Sequence, residues 1–502
     1  MIPFGDWNPD RFAKDASLAL DARNVIPAAE TYRPFPAFDI PGARDTGAFS
    51  SAFSSAFDTN TAAYLPAAPK SRVFVAQKAD GAYSYFVGTA TKLYRLTSLV
   101  GGWTDVSRLA GGAYTLQDPD LWDFTQYGTK VIATNVNDVV QVIDVDSGSN
   151  FAALAGSPPQ AKYCAVVGDF LWLGNLSTGR RKVQWSSFGN ITEWTAGTNQ
   201  GDENEFPDGG EVRGVEGGQV AVVFQERIIR RASYVPGSDY IFAIDKLFEG
   251  RGLAAPFCKA RIGENIFFLA DDGFYSTQGG PIGHEKFNNY FADDVEPTWK
   301  TRTLAAVDPK RPLFYIVYRS VNNAQDYYDK MLIYNWVSGR PSYATPAITS
   351  IGAAATTGVT LEDLNSFGSL EAVTPSLDSP VWAGGVPVLL GISSVNALGF
   401  FAGANAEAIV TTGEMQLVPR ARAFINEVAV DADTANYQVS IAARETQGAS
   451  VVFGAESAAA VTGNAPVRSS GRFHRVKVRI PAGEVWTHAR GVDPVFVKDG
   501  NR

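Results

Sequence analysis

The chain has 502 residues, 45% of them hydrophobic and 19% charged, which is enough apolar material for large cores and excludes a disordered chain. Its net charge of −9 argues against a protein that grips nucleic acid, because that affinity comes from Lys and Arg displacing counterions. Two cysteines, Cys164 and Cys258, each inside an apolar run, give no disulfide framework or zinc site and fit a chain made in a reducing cytoplasm.

Forty-eight Gly, 27 Pro and 12% aromatics point to strands and turns more than to helices, so the fold class is all-β. The start, Met1-Ile-Pro-Phe-Gly-Asp-Trp-Asn-Pro9, has neither a basic region nor a long apolar one, and no signal peptide is expected. Residues 1–66 read as an extended arm and connector. Pro3, Pro9, Pro27, Pro34, Pro36 and Pro41 alternate there with Phe4, Trp7, Tyr32, Phe35 and Phe38. Such a segment cannot build its own sheet but can lie across another surface, which makes Phe4, Trp7, Tyr32 and Phe35 candidate subunit or partner contacts.

From about residue 70 short strands alternate with tight turns. Arg72–Gln77 meets Asp80-Gly81 and then Tyr83–Gly88; Ile266–Ala270 turns at Asp271-Asp-Gly273 into Phe274-Tyr275. Asp-Gly between apolar runs is a hairpin signal, since the turns that match strand twist need positive φ. Comparable anchors sit at Gly81, Gly128, Gly168, Gly218, Gly263 and Pro309-Lys310, separated by 47, 40, 50, 45 and 46 residues. A period of roughly 40–50 residues with several strands per unit is the pattern of a β-propeller, one blade per repeat. Six anchors give a six-bladed propeller over 67–345.

Residues 346–412 lose this rhythm and read as apolar, Gly-rich connecting strands. Ser379–Ala406 carries no charge, yet Pro380, Pro387 and five glycines make buried strands the expectation rather than a spanning helix. Alternation returns over 413–502, which reads as a smaller, sandwich-like C-terminal β-domain. There Arg475, Lys477 and Arg479 share one face of Phe473–Ile480, either a solvated face or a basic stripe for an acidic neighbouring subunit. Helix is scarce, with a turn or two at 191–196 and 291–300.

Chemistry is thin. His284, His474 and His488 have no His or Cys at ligand spacing, so no metal site is expected. Neither a Gly-x-Ser-x-Gly elbow nor a Walker loop occurs. Gly250-Arg-Gly252-Leu-Ala-Ala255 precedes Pro256 and a strand where a phosphate-binding helix would be required, so no dinucleotide cofactor is expected. Asp144-Val-Asp146 reads as a plain turn, and Asp202-Glu-Asn-Glu205 as a solvated loop. The enzyme alternative is a sialidase-like propeller. Leu269-Ala-Asp271-Asp-Gly273 shares a carboxylate and glycine with that group's repeated turn but lacks its Ser and Trp and occurs once, and no credible pair of catalytic carboxylates accompanies it.

An ordered set of stretches carries a family likeness. It comprises Pro3–Pro9, Asn24–Pro27 with Tyr32–Pro36, Thr91–Leu96, Val183–Phe188, Val223–Arg230, and Arg251–Pro256 leading to Gly263–Phe274. In order and spacing it resembles the tail hub, or packaged-DNA-stabilisation, proteins of short-tailed phages, and it is similar in plan to the nozzle (tail tubular protein B) group. The likeness spans most of the chain, loosely over 345–412, and no single motif in it is diagnostic. It implies a non-enzymatic virion protein made in the host cytoplasm: a homohexameric ring below the portal-adaptor ring, holding packaged double-stranded DNA without tight binding and conducting it at ejection. A tail needle, spike or fibre proteins are further partners it implies. The alternative is a carbohydrate-binding or glycan-cleaving propeller, a receptor-binding tail component.

Overall fold

Each of the six repeat anchors closes the hairpin between the first and second strands of its blade, while Asp271–Gly273 joins the second and third strands of the fifth. Gly128 (φ 56°) and Gly168 (φ 54°) hold left-handed backbone there, which a side chain would strain. The structure, a computed structural model, describes residues 1–12, 15–40, 64–97, 102–238, 240–355 and 387–499.

Blade 1 comprises Phe74–Gln77, Tyr83–Gly88, Leu93–Leu96 and Thr104–Asp105; blade 2 comprises Asp123–Tyr127, Lys130–Thr134, Gln141–Asp144 and Ala152–Ala153. Blade 3 runs Ala161–Val167, Phe170–Leu176, Gly179–Trp185 and Asp202–Glu205, and blade 4 Val212–Glu216, Val220–Gln225, Ile228–Tyr234 and Phe242–Glu249. Lys259–Ile262, Asn265–Ala270, Gly273–Ser276 and Gly280–Ile282 form blade 5; Leu304–Val307, Leu313–Tyr318, Lys330–Asn335 and Arg340–Ala344 form blade 6. All six repeats lie where their anchors put them, and the protein is an all-β propeller.

The ring holds one unit more than the six anchors. Ile348–Ala355, Pro387–Ser393 and Leu398–Asn405 make a seventh four-stranded sheet whose outermost strand, Pro36–Asp39, comes from the arm. Its first strand lies beside the first strands of blades 6 and 1, so this unit closes the circle. The charge-free run therefore builds strands over its described part, 387–406. Apolar side chains fill the gaps between successive blades. Tyr85, Val87 and Leu96 pack on Leu390, Leu398 and Phe400 across blades 1 and 7, and Phe86 and Leu93 on Val131 and Phe151 across blades 1 and 2.

The arm is part of this framework rather than an appendage. Leu18–Arg23 pairs with Ala408–Thr412 and touches the last strand of blade 6, carrying that sheet on into Phe473–Ile480, Gln438–Arg444 and Ser457–Ala458. A second sheet orders Asn464–Gly471, Ala423–Ala432, Ala489–Lys498, Tyr32–Pro34 and Val25–Pro27, with Ile2–Pro3 paired to Ala489–Lys498. Between these two sheets Val476, Val478 and Ile480 meet Ile425, Val428 and Val492, and their core continues into blades 5 and 6. Helix is confined to a short helix, Asn288–Asp294, and a 3-10 turn, Pro297–Arg302, among the described residues. None is long and apolar enough to cross a membrane.

Candidate axial site of the propeller

The residues chosen from the sequence as partner contacts make their contacts inside the chain. Phe4, Trp7, Tyr32 and Phe35 are each less than 5% exposed. Trp7 stands edge-on to Tyr290, with ring centroids 5.2 Å apart, and Phe35 packs on Phe401 of blade 7 at 5.5 Å. The Tyr32 hydroxyl donates to the Gly5 carbonyl at 2.9 Å, and the Arg340 guanidinium lies over its ring. These rings anchor the arm to its own subunit. The expectation that they brace a neighbour gives way because the strands on either side already take ladder positions in the same chain.

The basic stripe is likewise internally matched. Arg475 pairs with Glu414 (3.3 Å), Lys477 with Glu456 (3.3 Å) and Arg479 with Glu407 (Nε 2.8 Å from Oε2). Glu414 is buried and also binds Arg444. The carboxylates come from distant parts of the sequence, which is why the strand taken alone looked like a free basic face.

The acidic segments resolve in two ways. Asp144 accepts from the backbone of Asp146 and Ser147 at 3.0 Å and from Lys130 at 2.9 Å, which makes a turn and holds its pKa well below the usual carboxylate range. Asp202–Glu205 is not a loop but the outer strand of blade 3, with Glu203 and Glu205 paired to Lys182 and Arg181. Charges on such an edge discourage pairing with another sheet. His284 and His488 are exposed and His474 is buried, and no group of three or more His, Cys, Asp or Glu that could hold a metal occurs among the described residues.

The polar cluster that the fold does assemble lies on the propeller axis and was not singled out in the sequence. The first strands of the blades bring Asp123, Glu216 and Lys259 together, and Arg72 joins them just before blade 1. Phe257 stands among them, with the Arg72 guanidinium 5.4 Å and the Lys259 ammonium 5.7 Å from its ring centre. Lys259 is only 1% exposed, and its Nζ lies 3.0 Å from Glu216 Oε1. Gly214 leaves the space this lysine needs, because a Cβ there would come 3.0 Å from its Cε. Asp123 is buried too; desolvation pushes its pKa up, opposed by the charges of Lys259 and Arg72. Its two oxygens accept from the backbone N–H groups of Phe124 (3.2 Å) and Cys164 (3.1 Å).

Two cavities flank this cluster. One of about 280 Å³ is lined by Arg72, Phe74, Asp123, Arg261, Ala306 and Ala353 among others, and Phe257 closes it on one side. A smaller one of about 50 Å³ lies beyond Phe257, against Tyr163 and Lys162. Burial puts both cysteine thiol pKa values above the ordinary range, so Cys164 and Cys258 are inert packing groups. The signal for this cluster was visible as single charges inside apolar strands, Asp123 after Trp122 and Lys259 within Phe257-Cys-Lys-Ala260. Their convergence needed the closed ring.

Fold and site together define a β-propeller with a charged axis flanked by two cavities and an attached two-sheet domain. No protein-family model matches the chain, and no curated protein does. Among solved structures it is similar to the extracellular domain of a hybrid two-component system from B. thetaiotaomicron (10% identity, TM-score 0.38), covering 78% of this chain but 46% of that one. It thus spans about half the length of that protein. The streptogramin B lyase structure is similar at 9% identity and TM-score 0.38, over 67% of this chain and 95% of the other. The WD40 domain of Neurospora crassa Pan2 is similar at 9% identity and TM-score 0.35, over 66% and 89%.

Proposed function

We propose that the protein is a non-enzymatic phage-tail component, a hub or nozzle whose copies form a six-membered ring below the portal and its adaptor and hold and then conduct packaged DNA. The observation that carries this reading is where the family-like stretches fall. Thr91–Leu96 contains the third strand of blade 1, and Val183–Phe188 ends the third strand of blade 3. Val223–Arg230 spans the central hairpin of blade 4, while Arg251–Pro256 and Gly263–Phe274 lead into blade 5 and build its hairpins. Pro3–Pro9, Asn24–Pro27 and Tyr32–Pro36 hold the arm strands that tie the propeller to the C-terminal sheets. The resemblance thus runs through the framework and not through one loop. Phe257 and its charged neighbours occupy the axis of each propeller, so in this reading the DNA path lies between subunits, where head-to-tail contacts close a ring.

The test is mass photometry of the purified chain with negative-stain averaging of its assemblies. Six-fold rings with a hole wide enough for duplex DNA are the expected result. A monomer that also fails to bind a purified portal–adaptor complex would overturn the reading and favour a glycan-binding propeller.

A further inference from the structure

We propose that the larger axial cavity is a binding site for a small organic anion, a carboxylate with an apolar body, held by Arg72. The inference is independent of the ring and rests on how the charges around the axis are already used. Lys259 is paired with Glu216 at 3.0 Å. Arg261, the other cation lining the cavity, donates to the carbonyls of Gly263 (2.7 Å) and Gly217 and pairs with Glu264 at 3.6 Å. Asp123 has both oxygens on backbone N–H groups. Arg72 differs from all of these. Its guanidinium carries five N–H donors, and the hydrogen bond it makes is a long one, 3.5 Å from Nη1 to the Lys259 carbonyl.

A planar guanidinium with open donors, in a cavity walled by low-dielectric side chains, suits a carboxylate taken bidentately. The remaining wall suits an apolar body, since Phe74, Phe124, Ala305, Ala306 and Val307 surround the space and the Phe257 ring forms its floor. At about 280 Å³ the cavity has room for a molecule of the size of a benzoate. Ala353, which lines the cavity, is exposed, so the cavity has a side facing solvent. A cation is disfavoured, because the lining carries two guanidiniums against one carboxylate whose oxygens are occupied.

The experiment titrates the full chain with benzoate, with acetate and with cyclohexylammonium, followed by calorimetry and by saturation-transfer NMR. Saturable benzoate binding near about 1 mM is expected, stronger than acetate and absent for cyclohexylammonium. Arg72→Gln, which removes the charge and shortens the side chain but keeps a planar polar end, should weaken it about tenfold or more while melting like the parent. Ala353→Tyr, placed at the mouth, should block binding without touching Arg72 and serves as the second variant. Benzoate binding unchanged in Arg72→Gln would overturn the proposal, as would equal binding of the cation. So would the absence of saturable benzoate binding up to about 20 mM.

Discussion

At the residue scale, the tightest constraints are glycines beside large rings. A Cβ on Gly88 would lie 2.2 Å from Cδ1 of Trp122, whose indole is 1% exposed and donates to the Thr89 carbonyl at 2.9 Å. The indole cannot retreat without breaking that bond or moving the first strand of blade 2. Gly88→Ala should therefore cost about 2 kcal/mol, read as a lower urea midpoint at unchanged slope. His474 gives a pH-dependent counterpart. It is fully buried on the apolar face of Phe473–Ile480, beside Val476 in sequence alternation, and burial pushes its pKa below the usual 6.5. The unfolded chain takes up a proton near pH 6.5 where the folded one does not, so stability falls as pH drops through that value. His474→Leu should remove this loss: urea melts at pH 7.5 and 5.5 should differ less in the variant than in the parent. An equal difference in both would show that His474 does not carry it.

At the element scale, what was legible and what was not have a common cause. Six of seven blades could be read because each is a continuous stretch whose first hairpin carries a tight turn, as at Gly128 and Gly263. The seventh could not, because its first hairpin is replaced by the long stretch between Ala355 and Pro387 and its outer strand comes from residues 36–39. Local patterning reports local pairing, and Phe38 against Phe401 is a contact across more than three hundred residues. The same holds for the arm. Its Pro and aromatic content showed that it lies on a surface, but the surface is its own chain. Tyr32 is the test of that assignment, being fully buried between the second sheet and Arg340, which also pairs with Asp6 at 2.5 Å. Tyr32→Ala should cost about 3–5 kcal/mol and raise protease sensitivity in both the arm and the C-terminal sheets. A loss confined to oligomer formation, with the monomer's stability unchanged, would return the arm to the role of a strap between subunits.

At the scale of the whole molecule, the question is whether this surface can hold DNA. The net charge of −9 is only part of the answer, since a protein can be acidic overall and still carry a local basic face. Several basic clusters are matched by carboxylates within the chain. Arg181 and Lys182 are paired with Glu205 and Glu203 at 3.3 and 2.8 Å, and Arg230 with Asp208. Arg475, Lys477 and Arg479 spend their charge on Glu414, Glu456 and Glu407. A phosphate would have to compete with a carboxylate already in place at each of these positions, and the release of counterions that drives DNA binding would be correspondingly small. Fluorescence anisotropy with a short labelled duplex should therefore give a dissociation constant weaker than about 100 μM at physiological salt, with a shallow salt dependence. Weak contact would suit the proposed conduit, because a strand that must leave quickly cannot be held at many sites. A micromolar or tighter affinity with a steep salt slope would mean that the pairs open for DNA, and it would count against the proposed conduit.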